Sequence, residues 1–382
     1  MVRKTIYLDY AAATPLDPAV FDAMRSYFTD KFHNPSATYL AAQAVKKDLD
    51  AARSKVAQTI GARPSEIVFT AGGTEANNLA IKGVLQQYPD AELLVSGIEH
   101  ESVLAPAENF AHARIPVAAD GTVDLEALPG LITDKTVLIS VMYANNEVGT
   151  IQPIRQVAQL VQRVREERRK TGNLLPLFLH TDACQAGNYL DLHVSRLGVD
   201  LMTVNGGKIY GPKQSGALFV ASHVQLKPQI EGGGQERNIR SGTENVAQAI
   251  GFATALEKAQ SMRHESVEHM RELQNYFIER LSEQFSEIVI NGSRKHRLPN
   301  NVHVTLPGKD NERLIFALDE RGILAAAGSA CSASNEEPSH VLKAMGVSDE
   351  DARASLRFTL GKDTSKEDID YTVQTLREIL YT

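Results

Sequence analysis

Thr203-Val204-Asn205-Gly206-Gly207-Lys208-Ile209-Tyr210-Gly211-Pro212-Lys213 is the stretch from which the chain is best read. Ahead of it, the apolar run from Val199 to Val204, broken only by Asp200, predicts a buried strand. Two glycines precede Lys208 and a Gly-Pro turn follows it, so the lysine sits on bare backbone at the mouth of that strand. A partly desolvated lysine can lose its proton and attack a carbonyl. Upstream, Pro176 to His180 predicts another strand, which runs into Thr181-Asp182-Ala183-Cys184-Gln185. An acid at one strand end and a lysine beyond the next match the needs of a pyridoxal phosphate site, in which the carboxylate keeps the pyridinium nitrogen protonated. Taken singly, Lys208 also reads as a solvated turn lysine and Asp182 as a loop cap.

Working outward, apolar runs at 67–70, 92–96, 115–118, 137–143, 176–180, 200–204 and 216–221 alternate with helical patterns. That alternation predicts an α/β fold, a mainly parallel sheet with helices on both faces. Ligands of such sheets bind beyond the carboxyl ends of the strands, so the residues there are the candidates. Gly72-Gly73-Thr74 after the first run is a glycine turn entering a helix, suited to a phosphate or to an ordinary N-cap. His100 follows the second run and offers a stacking ring, a proton shuttle or a structural histidine. Asn145-Asn146 follows 137–143 and reads as a hydrogen-bonding pair or as a turn.

A helix is expected from Pro18 to about Phe32, the turn His33-Asn34-Pro35-Ser36 follows, and a second helix is expected from Tyr39 to Gly61. The pattern from Asn245 to Phe285 reads as one long helix leading to a smaller α+β domain, with strands at 287–290, 300–305 and 353–359. The expected division is 15–260 for the large domain and 261–382 for the small one, joined by the N-terminal segment 1–14. A chain of 382 residues is long enough for two such cores. Its net charge of −7, with no long basic run, gives no reason to expect direct binding of nucleic acid. No apolar run reaches membrane-spanning length and Met1-Val2-Arg3-Lys4 does not open a signal peptide, so a cytoplasmic location is expected. The two cysteines, Cys184 and Cys331, form neither a disulfide framework nor a metal motif, and no metal site is expected. Cys331 lies in Gly328-Ser329-Ala330-Cys331-Ser332-Ala333-Ser334-Asn335, small and polar throughout, where packing offers a thiol little. Cys184 reads as a small filler.

Together these segments resemble the cysteine desulfurases of the NifS/IscS type, in the class-V aminotransferase superfamily of pyridoxal phosphate enzymes. The likeness runs from Tyr7-Leu8-Asp9-Tyr10-Ala11-Ala12-Ala13-Thr14-Pro15 to Ser355-Leu356-Arg357-Phe358-Thr359-Leu360-Gly361. It implies fold type I of the pyridoxal phosphate-dependent transferases, with a large, mainly parallel seven-stranded sheet domain and a small α+β domain. It also implies conversion of L-cysteine to L-alanine, with sulfur left on Cys331 as a persulfide and passed to an acceptor protein for iron–sulfur cluster assembly or tRNA thiolation. By resemblance, Lys208 carries the cofactor, Asp182 faces its ring nitrogen, and Asn146 and Gln185 meet its ring hydroxyl. His100 stacks on the ring and moves protons. Gly73, Thr74 and Asn205 belong to the phosphate cup, to which Thr243 reaches across a homodimer interface. Asn34, Asn146 and Arg357 are the implied substrate-binding residues. Departures fall in the cup: the family usually has histidine at Gly207, Tyr39 and Gln235, and serine at Asn205. A selenocysteine lyase, another class-V enzyme such as an aminotransferase, and a catalytically silent scaffold for sulfur transfer are the rival readings. Cys331 discriminates against an aminotransferase. Retention of Lys208, Asp182, His100 and Cys331 together argues against the silent scaffold.

Overall fold

Seven strands place their apolar residues on alternating faces, and both faces are covered by helices. In the computed structural model, which describes residues 5–328 and 338–381, β1 is Ile6–Tyr7, β2 Ile67–Thr70, β3 Glu92–Ser96 and β4 Ala111–Ile115. They are followed by β5 Thr136–Ser140, β6 Phe178–Asp182, β7 Leu201–Asn205 and β8 Gly216–Val220. The large sheet has the order β2-β8-β7-β6-β5-β3-β4. Strand β8 runs antiparallel to both β2 and β7, while β7, β6, β5, β3 and β4 pair in parallel. Six strands therefore end on the same edge. On one face, Met202 and Val204 of β7 pack in a core with Val56, Ile139, Leu179 and Phe252; on the other, Leu201 joins Leu93, Val137, Leu218 and Leu79. A sheet covered on both faces needs strands that are apolar almost throughout, and β5, β6 and β8 are buried at every residue.

Most elements begin and end within a few residues of expectation, and two differ in ways that matter. The run at 115–118 is the end of a strand, since β4 occupies Ala111–Ile115 and its first four residues are exposed at the sheet edge. The long helical pattern divides into the helices Val246–Ser261 and Arg263–Gln284, with Met262 between them. The first buries Phe252, Ala255 and Leu256 in the core of the large sheet, whereas the second gives Met270, Leu273, Phe277 and Leu281 to another core. One straight helix cannot serve both.

That second core lies under a three-stranded antiparallel sheet of β9 Val289–Ile290, β10 Asn301–Thr305 and β12 Ser355–Thr359, in the order β12-β10-β9. It also takes in Ile6 and Leu8 from the N-terminal segment. Strand β1 pairs in parallel with β11, Ile323–Leu324. Among the described residues no helix is long and apolar enough to cross a membrane.

Candidate active site

The shared strand edge is where the chemistry collects. Asp182 is the last residue of β6, and Asn205 the last of β7. The chain leaves β7 through a tight turn, Gly206–Lys208, that lifts the lysine above the edge. One recess of about 140 Å³ is lined by Gly73, Thr74, His100, Asn146, Asp182, Gln185, Asn205, Lys208 and Arg357, nine of the residues expected to meet there.

Asp182 is 6% exposed, so its charge needs donors. Cys184 N–H donates to Oδ1 at 2.9 Å and Asn77 Nδ2 to Oδ2 at 2.7 Å. The same Asn77 amide donates to Ser102 Oγ at 2.8 Å, and Ser102 N–H donates to His100 Nδ1 at 3.0 Å. Since Nδ1 accepts, a neutral His100 carries its ring proton on Nε2. Asn77 and Ser102 thus couple the acid to the histidine, and neither was singled out in the sequence. Beneath His100, Glu99 is fully buried. Burial raises its carboxyl well above the usual range and the Asp182 charge adds to that, while Oε1 accepts from Met142 N–H at 2.6 Å.

Lys208 Nζ donates to the carbonyl oxygens of Ala11 (2.8 Å) and Ala12, and Gln185 Nε2 donates to the Ala11 carbonyl at 3.0 Å. Ala11 and Ala12 therefore form a wall of the recess. Arg357, 1% exposed, donates through Nη2 to Asp9 Oδ1 at 2.7 Å and through Nη1 to the Asn146 carbonyl at 3.1 Å. Its fork is held at the recess by two partners from distant parts of the chain.

The helix Gly73–Leu85 begins beside Asp182, and a Cβ on Gly73 would stand 2.6 Å from Cys184 Sγ. Cys184 is thus a packing residue as expected, though half-buried at the recess wall, where burial and the Asp182 charge keep its thiol well above the usual range. Asn205 Oδ1 accepts from Gly207 N–H at 2.9 Å. Two expected residues are not brought to this recess. Asn34 lies in an exposed turn where its Oδ1 accepts from Ser36 N–H. Thr243 lines a separate hollow with Thr70, Gln214 and Arg240. Cys331 lies outside the described residues.

The donor set suits pyridoxal phosphate: a buried, hydrogen-bonded carboxylate, an amine in the turn beyond the neighbouring strand and a glycine-led helix N-terminus for a phosphate. Comparison with known proteins gives the same direction. Residues 6–372 match the family model described as aminotransferase class-V. A cysteine desulfurase IscS of Dictyoglomus turgidum is 40% identical over 99% of this chain and 95% of its own. Among solved structures, a NifS-like protein superposes with a TM-score of 0.89 at 32% identity, covering 99% of both chains. SspA in complex with cysteine superposes with a TM-score of 0.80 at 33% identity, over 93% of this chain and 99% of its own. A full-length match of both sequence and architecture leaves one assignment: the chain belongs to the class-V aminotransferase family of pyridoxal phosphate enzymes, among its NifS/IscS-type cysteine desulfurases.

Proposed function

We propose that this chain removes sulfur from L-cysteine with the residues of the Lys208 recess and carries it as a persulfide on Cys331. What carries the reading is that Asp182, His100, Asn146, Lys208 and Arg357 line one recess. The SspA structure in complex with cysteine supports L-cysteine as the substrate class. Pyridoxal phosphate, held by Lys208 and Asp182 with Gly73, Thr74 and Asn205 about its phosphate, supplies an electron sink for the bonds at the substrate Cα. Asp182, which accepts from Cys184 N–H and Asn77 Nδ2, would hold a proton at the ring nitrogen. Arg357 binds the substrate carboxylate beside Asn146, a task for which its planar fork is suited. Lys208 Nζ takes the Cα proton, and His100 passes one through Nε2. The Cys331 thiolate then takes the sulfur. An S–S bond forms, the Cβ–S bond breaks with its electron pair left on Cβ, and protonation there gives alanine. No external oxidant or reductant is consumed.

The persulfide goes to an acceptor protein for iron–sulfur cluster assembly or tRNA thiolation, in the cytoplasm. The chain works as a homodimer in which Thr243 serves the partner subunit's site. The exposed Phe21, Phe28, Phe32 and Tyr39 (47–68%) give such an interface apolar surface to cover. The residue ranges 15–260 and 261–382 are its two working units.

Alanine formation from cysteine tests the proposal. Cys331→Ser should retain the cofactor and lose alanine formation by orders of magnitude, because a hydroxyl is a poor nucleophile toward sulfur. Cys184→Ser should remain near the parent. Parental activity in Cys331→Ser would remove the persulfide step.

A further inference from the structure

Arg297 is fully buried, at 2% exposure, and does not line the recess of Lys208. Its Nε donates to the Ser293 carbonyl at 3.0 Å and its Nη2 to that of Asn291, while the buried Nη1 has no partner among the described residues. A guanidinium does not shed its proton, and a buried charged donor left unpaired is costly. Arg168 makes the contrast: it is also buried, at 5% exposure, without an acid, but its Nη1 and Nη2 reach the carbonyls of Leu175, Pro176, Thr133 and Thr136. Around Arg297 the neighbouring charges are of its own sign. Burial, then Arg294 and Arg271, push its guanidinium down to about 10.

These three arginines line a recess of about 330 Å³ between the helix Arg263–Gln284 and the segment that precedes β10. Arg271 is held in place there, its Nη1 donating to Gln274 Oε1 at 3.0 Å and its Nη2 to the Arg297 carbonyl at 3.2 Å. Arg294 is exposed, and Glu279 is the acid that also lines the recess. No described carboxylate forms an ion pair with any of the three arginines. Planar guanidinium groups lining one space of this size suit a tetrahedral oxyanion.

We propose that this recess is a binding site for a phosphate-class oxyanion, held by Arg271, Arg294 and Arg297. The site backs onto the loop that carries Asn146: Leu298 N–H donates to the Gly149 carbonyl and Ile151 N–H to the His296 carbonyl, both at 2.8 Å. It shares no lining residue with the recess of Lys208.

Calorimetric titration of the holoenzyme with inorganic phosphate, at ionic strength fixed with chloride, tests it, because the cofactor already fills its own phosphate cup. One phosphate per chain is expected, weakened about tenfold or more in Arg294→Gln and in Arg271→Gln, since each removes a charge-assisted bond. Arg297→Lys keeps the charge but loses the fork and should also weaken binding; the exposed Arg294→Gln carries the test should the Lys variant not fold. A parallel titration with glycerol phosphate separates the sources: equal or tighter binding marks a phosphate-monoester site, weaker binding a site for the free ion. Absence of binding, or binding unchanged in Arg294→Gln and Arg271→Gln, would overturn the proposal.

Discussion

At the scale of single residues, the resemblance leads one to expect a ring donor where Gly207 stands in the phosphate cup, and that expectation can be tested. Asn205 uses its Oδ1 on the Gly207 N–H, which leaves Nδ2 to donate. A Cβ at Gly207 would meet nothing nearer than Asn205 Oδ1 at 3.5 Å, so there is room for a side chain. A hydrogen bond to a charged group is worth about 1.5–3 kcal/mol. Gly207→His should therefore slow loss of the cofactor about tenfold or more, followed by absorbance during dialysis. An unchanged rate would mean that Asn205 already supplies the missing donor. Lys208, Asp182 and His100 were legible in the sequence because chemistry at strand ends follows from where the apolar runs stop. Asn77 and Ser102 were not, because their role requires two helices to lie side by side. Asn77 reaches an acid 105 residues away, and in the sequence both read as ordinary polar residues near helix starts.

At the scale of elements, the entry of the helix Gly73–Leu85 is a tight junction in the site. Gly72 takes φ 108°, a conformation that favours glycine, and the Gly73 Cα faces Cys184. Gly73→Ala should destabilise the protein by about 1–3 kcal/mol through overpacking, read from denaturant unfolding. Adding Cys184→Ala should restore most of that loss, because it removes the 2.6 Å contact. If the double variant is no more stable than the single one, the cost lies in the helix entry itself. The strands were readable because each is a short apolar run bounded by polar residues. The break at Met262 was not, because helical periodicity continues through it and only the separation of two cores, a tertiary fact, divides the helix.

At the scale of the whole molecule, two buried histidines tie stability to pH. Burial lowers His180 to about 4, where Ser140 and Thr203 meet its ring. Burial, together with Arg297 and Arg357, lowers His303 to about 3. In the unfolded chain both titrate near the ordinary value of about 6.5. Between that value and the lowered one the unfolded chain binds more protons, so their contribution is complete above about pH 6.5 and is lost as pH falls through 4. Each accounts for about 3 kcal/mol at pH 4 by that linkage. The unfolding midpoint should fall steeply across this window, and less steeply in His180→Gln; an equal slope would assign the loss to other groups. The N-terminal wall of the active site has a consequence in time. Ala11 and Ala12 hold Lys208, and Asp9 pairs with Arg357 across 348 residues of chain. At roughly 5–20 residues per second, a ribosome adds that length in tens of seconds. Lys208 emerges partway through that interval, but Asp9 is without Arg357 until its end, so the large sheet can form before this pair closes. The Asp9–Arg357 pair at the recess closes only with the last strand of the small domain.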